Sequence, residues 1–389
     1  MKIIVNNKRY RGWSTASVSN RLDALSDTFS FNAVKKPGIP LPFKGGEDCQ
    51  VEVDGEIVLT GFIEVVDVDG DSTSHNIELT GRDRTGDILD SKLSKGIEVT
   101  TSTTLKIIIE KALINIGSSI EVIEEFTPTP FKKVDDLESG EDGETVWNFI
   151  ESLARKKQVL LSSNSLGNLV ITRSSGNEID ASIRHRVGDI NGLNNVKSYS
   201  YSYDSTGRYN VYRISTQQNP NTIINAGDIK NEELVHQSVS ILDNEIRKGR
   251  QLALVAENTG SSLRDRAIWE QNIRNARGNV YSATVQGYRN QTGAIWKTNT
   301  IVRVHSDYAG IDSRMLINAV EFVLDIEGGR STVLSFINKN SYTLELSKDA
   351  ILTDVIGAGL TVEAEPKTER DKDIQNVLGI QTVETDVVI

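Results

Sequence analysis

Residues 49–70 read Cys49-Gln50-Val51-Glu52-Val53-Asp54-Gly55-Glu56-Ile57-Val58-Leu59-Thr60-Gly61-Phe62-Ile63-Glu64-Val65-Val66-Asp67-Val68-Asp69-Gly70. Apolar residues alternate with polar ones through Cys49–Val53, the period of a half-buried strand. Asp54-Gly55 suits the two central positions of a tight hairpin turn, where φ is positive. Ile57-Val58-Leu59 returns from it. Ile63 to Val68 forms a further strand, and Asp69-Gly70 turns the chain back into Asn76–Thr80. Upstream, Ile3-Ile4-Val5 stops at the turn pair Asn6-Asn7, and Phe29–Val34 alternates again. Pro37, Pro40 and Pro42, three of only seven prolines, mark Lys35–Gly46 as a long loop. Short strands at this spacing predict a small β-barrel over residues 1–95.

The period then changes. Leu105, Ile108, Ile109, Ala112, Leu113 and Ile116 recur at helical spacing. Ser102 or Thr103 is placed to cap that helix, and Gly117 to end it. Val146, Phe149, Ile150, Leu153 and Ala154 mark a second helix. Acids precede it at Glu141, Asp142 and Glu144, and Arg155, Lys156 and Lys157 close it, the order the helix dipole favours. Val159–Leu161 and Asn168–Thr172 predict a hairpin around Ser165–Gly167. Residues 96–190 are thus an α+β module. Alternation resumes at Tyr199, Tyr201 and Tyr203 and continues through Tyr209, Val211, Tyr212 and Ile214. Residues 191–230 and 278–345 are assigned to a second β-barrel. Residues 231–277 are read as a helical insertion in two pieces broken near Thr259-Gly260. Residues 346–389 are read as an extended tail, with a charged linker at Pro366–Asp373. The fold class is β-rich α+β: two similar small barrels with inserted modules.

The two β regions resemble each other. Phe43-Lys44, Val51-Glu52-Val53 and Leu59-x-x-x-Ile63-Glu64-Val65-Val66 answer Trp296-Lys297, Val302-Arg303-Val304 and Leu316-x-x-x-Val320-Glu321-Phe322-Val323. Phe29-Ser30 answers Tyr281-Ser282. Three copies of a chain with two such barrels would present six of them in a ring.

Composition narrows the chemistry. The chain has 389 residues, 38% hydrophobic and 25% charged, with a net charge of −11. An acidic chain is a poor candidate for wrapping duplex DNA, because phosphate binding needs a basic face. Cys49 is the lone cysteine, so no intrachain disulfide or thiolate zinc site can form. His75, His185, His236 and His305 are scattered, and no phosphate loop, GxGxxG or GxSxG occurs. The start, MKIIVNNKRYRGW, turns polar too soon for a signal peptide. No apolar run of about 18 residues predicts a membrane helix. No cofactor, metal or catalytic residue is expected, and the chain is not read as an enzyme.

Four clusters have a chemical and a plain reading. Asp67, Asp69, Asp71 and Glu78 imitate a calcium loop, but Gly70 sits at its fourth position instead of its sixth and strands flank it. A turn with solvated acids fits better. Asp83, Asp87 and Asp90 offer paired acids for glycoside cleavage, or local pairing with Arg82 and Arg84. Arg247, Lys248, Arg250, Arg264, Arg266, Arg274 and Arg277 form a basic stretch opposed by Glu257, Asp265 and Glu270. It reads as a salt-bridged helix face or a subunit contact. Tyr199, Tyr201, Tyr203, Tyr209 and Tyr212 are either a sugar platform or packing residues.

The run Ile77-x-Leu79-Thr80-Gly81-Arg82-Asp83-x-x-Gly86-Asp87-Ile88-Leu89-Asp90 resembles the signature of baseplate hub proteins of contractile-tailed, Mu-like phages. Glu144-Thr145-Val146-Trp147-Asn148-Phe149-Ile150-x-x-Leu153-Ala154, with Leu160-Leu161 and Gly167-Asn168-Leu169, is similar to their second domain. It is also similar to the matching part of type VI secretion spike proteins. Gly287-Tyr288-Arg289, Gly293-x-x-Trp296-x-x-Asn299-x-x-Val302, Met315-Leu316-Ile317 and Gly328-Gly329-x-Ser331-Thr332 again resemble such hubs. The resemblance covers most of residues 1–340. It implies a homotrimeric structural protein of the virion tail baseplate, assembled in the host bacterial cytoplasm. Such a hub joins the hexameric tail tube to the trimeric central spike, contacts baseplate wedge proteins and lets DNA pass. It implies no specific nucleic-acid binding and no stable membrane association. On this reading strand edges from both barrels pair across subunits, and the lumen is more acidic than basic. Arg82, Asp83, Asp87, Trp147, Arg264, Arg266, Arg274 and Trp296 are the candidate interface residues. The alternatives are a β-rich carbohydrate-binding module or the hub of a phage-like secretion or bacteriocin particle.

Overall fold

The computed structural model describes residues 1–35, 42–71, 75–131, 139–189, 191–216, 237–256, 263–346, 350–356 and 359–360. The chain divides into two compact units. The first is drawn from residues 1–131, 137–203 and 279–342, and the second mainly from 204–278 and the chain beyond 343.

The first unit opens with seven strands: β1 (Lys2–Val5), β2 (Lys8–Tyr10), β3 (Thr15–Arg21), β4 (Thr28–Lys35), β5 (Asp48–Val53), β6 (Glu56–Gly70) and β7 (His75–Asp83). All their pairings are antiparallel, in the order β3-β4-β7-β6-β5-β1-β2. The turns have the predicted chemistry. Asn6 and Asn7, and then Asp54 and Gly55, all hold positive φ, the conformation that two-residue hairpin turns demand.

The α+β module follows, with α1 (Gly86–Asp90), α2 (Leu105–Asn115), β8 (Val122–Glu124), α3 (Val146–Lys156), β9 (Leu160–Ser163) and β10 (Leu169–Thr172). Strand β10 pairs antiparallel with β9, the predicted hairpin, and parallel with β8. Helices α2 and α3 bury their apolar stripes in a core with Ile88, Leu161 and Leu169. The cap of α2 is Thr104, not Ser102 or Thr103. Its hydroxyl accepts from Ile107 N at 3.4 Å, whereas Ser102 sits at φ 68° and the Thr103 hydroxyl is engaged by Thr100.

Strands β11 (Glu178–His185) and β12 (Val196–Tyr203) lead out of the first unit. The second unit contributes β13 (Val211–Thr216), β14 (Gln237–Asp243), β15 (Gln251–Ala256) and α4 (Leu263–Gly278). The chain re-enters the first unit with β16 (Asn279–Gln286), β17 (Ile301–Ser306), β18 (Ile311–Asp325) and β19 (Gly329–Asn338), then supplies β20 (Ala350–Ile356) and β21 (Gly359–Leu360) to the second.

Three expectations are corrected here. The stretch read as two helical pieces holds two strands and one helix. In β14, Val239 and Ile241 alternate with Ser238 and Ser240. This period of two packs one face against Ala267 and Ile268 of α4. The start of the supposed tail is β20, which completes the ladder of β14, while Pro366–Asp373 lies outside the described residues. Strand β13, assigned from sequence to the second barrel, belongs to the sheet of the second unit.

The β-rich class stands. Apart from the module's β8-β10-β9 ladder, the strands of the first unit form one 13-stranded sheet, and no pairing among the described residues closes either half on itself. A single core runs through both halves, from Ile3, Val51 and Leu59 to Tyr281, Val320 and Phe336.

Strand pairing reproduces the suspected repeat. The first half runs β3-β4-β7-β6-β5 and the second runs β12-β16-β19-β18-β17, in the same chain order and all antiparallel. One line across the first half joins Val18, Phe29, Gly81 and Ile63. The matching line joins Tyr201, Tyr281, Phe336 and Ile317. Each half then carries a bulge just beyond that line, between Ile63 and Val65 and between Ile317 and Ala319. The Phe29–Tyr281 match therefore holds, but Ile63 matches Ile317 and not Val320. The outermost strands differ, since β1 joins β5 antiparallel while β11 joins β17 parallel.

Candidate assembly site

The Gly81–Asp90 run ends β7 and forms the joint with the α+β module. Asp83 is buried, and four donors fill its carboxylate: Ser26 Oγ at 2.9 Å, Asp27 N at 3.1 Å, Thr85 N at 3.0 Å and Thr85 Oγ1 at 2.6 Å. Arg82 is bonded to Glu64 at 2.6 Å and also to Asp90. Asp87 is exposed, and its carboxyl is raised by partial desolvation and by Asp90. The three acids therefore have different tasks: one is locked by donors, one is tied to arginine and one is free at the surface. This arrangement holds a joint together and does not pair an acid with a base.

Asp27 backs Asp83. Its carboxyl accepts from Asn20 Nδ2 at 2.5 Å and Arg21 N at 3.0 Å. Burial, reinforced by the Asp83 charge, pushes it from 3.8 up to about 8. The unfolded chain releases this proton near pH 4 and the folded chain near pH 8, so folding is linked to proton uptake between them. Stability is expected to fall as pH rises through that window, by at most about 1.4 kcal/mol per pH unit. Asp83, also raised by burial, acts in the same direction. Urea midpoints measured across the window check this, and Asp27→Asn is expected to flatten most of the slope.

The remaining candidates are dispersed. Trp147 lies on α3, partly buried against the module core. Trp296 is buried in the core of the first unit. Burial of Asp83 and Trp296 within the chain corrects the reading of them as contact residues. On α4, Arg266 and Arg274 flank Glu270 at 2.8 and 3.6 Å, and Arg274 also lies over the Tyr209 ring at 5.2 Å. Arg264 is exposed beside them. The tyrosines do not make one platform. Tyr212 is buried in the second unit, while Tyr199, Tyr201 and Tyr203 share one exposed face of β12 in the first.

The sequence reading missed two open backbone edges. Among the described residues, strand β12 ends the 13-stranded sheet and pairs with β16. Strand β6 is long enough to use both edges: its first half pairs with β5 and its second half with β7. Ile63 still pairs through its backbone with Gly46 and Glu47, and beyond it no described strand occupies the β5-side edge of β6. Val65 and Val68 project from that stretch into solvent. The signal was present in Val65-Val66-Asp67-Val68, which puts valines on both faces where a one-sided strand would alternate.

The described residues thus give a duplicated antiparallel sheet whose joint to the α+β module is held by Asp83 and by the Arg82 ion pairs. Comparison with known proteins gives the family. Residues 1–83 match the Mu phage baseplate assembly protein GpP-like N-terminal domain. Residues 85–173 match the second domain of baseplate hub protein gp44-like proteins. Residues 259–345 match the fourth domain of Mu phage baseplate assembly protein GpP. The baseplate hub protein gp44 of Escherichia phage Mu is 22% identical over 350 residues, covering 88% of this chain and 89% of that one. The crystal structure of the 43 kDa tail protein of prophage MuSo2 from Shewanella oneidensis superposes with a TM-score of 0.71 at 28% identity, over 87% of this chain and 98% of the other. The E. coli c3393 protein, a component of the type VI secretion system, shares the fold at a TM-score of 0.53 and 10% identity, over 87% and 77% of the two chains. Three segments of the chain are thus similar to domains of Mu-like baseplate hub proteins, and the chain shares its fold with a type VI secretion component.

Proposed function

We propose that three copies of this chain form the hub of a contractile-tail baseplate, joining the six-fold tail tube to a three-fold central spike and leaving a passage for DNA. The observation that carries this is the internal repeat in strand pairing. Two equivalent five-strand blocks per chain give six blocks in three chains, so a three-fold assembly can face a six-fold one. On this reading each block belongs to a barrel, the first built on β3–β7 and the second on β12 and β16–β19. The module at 96–190 and α4 of the 231–277 insertion are the parts that would meet the spike and the wedge proteins. Arg82, Asp87, Trp147, Arg264, Arg266 and Arg274 are the side chains offered to those partners. Particles of this type act in the virion after assembly in the host cytoplasm. The net charge of −11 per chain favours an acidic passage along which DNA does not stick.

The test is the absolute mass of the full chain, by light scattering coupled to size exclusion over a range of concentrations. Three times 42.9 kDa is expected. A monomer at every concentration, unchanged by an added spike protein, overturns the reading.

A further inference from the structure

Where the two halves of the first unit meet the α+β module, the described residues line a cavity of about 330 Å³, within the roughly 300–1,000 Å³ of small-molecule sites. Its wall comes from β3, the start of β6, the β9–β10 hairpin, the loop before β17, and β18. Nothing in the hub reading uses it. Val58, Val320 and Phe322 give it an apolar side. Asn20, Ser162, Ser163 and Thr172 supply polar groups. Glu125 and Lys297, both exposed, bring one charge of each sign. Glu56 is paired with Arg289 at 3.0 Å, and Asp27 is kept protonated at neutral pH by burial and by the Asp83 charge. The wall is therefore close to neutral. Among the described residues no three His, Cys, Asp or Glu side chains are grouped to hold a metal ion.

Trp296 is the residue that points to an occupant. It lines the cavity, it is 3% exposed, and its indole N–H has no acceptor among the described residues. A buried indole N–H ordinarily finds one, and Trp13 of this chain does, donating to Tyr10 O at 3.4 Å. The internal repeat shows that packing alone does not call for the N–H. Ile63 N donates to Glu47 O at 3.0 Å, and Ile63 O accepts from Gly46 N at 2.7 Å. In the second half, Ile317 N donates to Thr300 O at 2.8 Å, and Ile317 O accepts from Asn299 N at 3.0 Å. In this register Phe43 and Trp296 hold the same place, four residues before Glu47 and Thr300. Phe43 is buried against Tyr10 and Trp13, so a phenyl ring fills the position in the first half. The second half has a buried donor there, and the cavity is the place from which an acceptor can reach it.

We propose that this cavity binds an uncharged, hydroxyl-rich molecule the size of a single sugar ring, one of whose oxygens accepts from Trp296 Nε1. The class follows from the lining. The indole donates only, so the ligand must bring an acceptor. The Glu125 carboxylate accepts only, and the serine and threonine hydroxyls do both. A ligand hydroxyl, which also donates and accepts, therefore answers more of the wall than a carbonyl does. Val58, Val320 and Phe322 suit the C–H face of a ring. A full charge of either sign would lose its water beside a lining with no net charge to oppose it, a cost that a hydroxyl avoids. Water fills the polar part of such a cavity but gains nothing from the apolar side. The site lies within one chain, so it is independent of the three-copy reading.

The test is equilibrium dialysis of the full chain against radiolabelled glucose at slightly acid pH, where glucosamine is a cation. Saturable binding of one glucose per chain is expected. Glycerol, a smaller polyol, is expected to displace it. Glucuronate and glucosamine, the charged analogues, are expected to compete at least tenfold more weakly than unlabelled glucose. Trp296→Phe installs the residue that the first half uses and is expected to weaken glucose binding at least tenfold. Thr298→Phe keeps the indole and narrows the cavity from a half-buried lining position, and the same loss is expected. Sugars stabilise folded proteins generally by exclusion from their surface, so the melting temperature checks only that each variant folds. If Trp296→Phe does not fold, Thr298→Phe decides alone. Absence of saturable glucose binding means a cavity that holds water only and overturns the proposal. Binding unchanged in the folded variants puts the glucose elsewhere and overturns it as well. Competition by glucuronate or glucosamine equal to that of glucose overturns the uncharged class.

Discussion

Gly81→Ala is expected to destabilise the first unit by about 3 kcal/mol or more, the upper end of what overpacking a closed core costs. A Cβ built at Gly81 would lie 2.1 Å from the Phe62 carbonyl oxygen and 2.6 Å from the Phe29 ring. The ring could yield. The carbonyl cannot, because it belongs to β6 where the β6–β7 ladder bends at its bulge. Gly61 faces the same squeeze from the other strand, with its Cβ site 2.0 Å from the Arg82 carbonyl. The two glycines let β6 and β7 come together at the point where Asp83 must turn inward to hold the joint. The matching residue of the second half is Phe336, packed 6.0 Å from Tyr281. The repeat thus fills equivalent space once with Phe29 over a glycine and once with two shared rings. Gly207→Ala is the control, since no atom lies within 4 Å of its Cβ site, and it is expected to shift stability by less than about 0.5 kcal/mol. Urea unfolding of both variants decides. A Gly81→Ala midpoint equal to that of the unsubstituted chain would show that the strands separate freely there.

Local pattern made much of the first unit legible. Alternation at Cys49–Val53, the Asp54-Gly55 turn and the Phe29–Tyr281 match are all properties of neighbouring residues. The β9–β10 hairpin and the stripes of α2 and α3 are legible for the same reason. What depended on distant partners was not. Strands β14 and β15 were read as helix because their identity comes from lying beside β13, and β20 was read as tail because its partner is more than a hundred residues upstream. The candidate site shows the same limit. Arg82 and Asp87 announce themselves in a distinctive run, where Arg82 is paired with Glu64 and Asp90 and Asp87 is exposed. Trp296 looks equally distinctive, but it is spent on the core. Tyr199, Tyr201 and Tyr203 were noticed as aromatics, yet their meaning as an edge needs the pairing of β3 with β18, which no local pattern contains.

Arg208 carried no sequence signal, and its loss is the second large effect expected. It sits in the loop before β13 with its side chain 0% exposed, bonded to Asp243 at 2.9 Å and to Glu245 at 2.6 Å. Asp243 ends β14 and is itself buried, and it also accepts from Glu245 N at 3.1 Å. The guanidinium thereby ties the entry to β13 to the exit of β14. Arg208→Ala leaves the Asp243 carboxylate buried without its cation, a change that costs about 3–5 kcal/mol where one partner of a buried pair is removed. The second unit has a small core, built on Tyr212, Ile214, Val239, Ile241, Ala267 and Ile268, so a loss of that size is a large share of what holds it. Amides of β13, β14 and α4 are expected to exchange faster by two orders of magnitude or more, while those of β4, β6 and β7 keep their protection. The double variant Arg208→Met with Asp243→Leu removes both charges together and is expected to recover most of the loss, because apolar groups of similar volume replace a buried pair at little cost. Rapid exchange in the double variant equal to that in Arg208→Ala would mean that geometry, not an orphaned charge, is what Arg208 supplies.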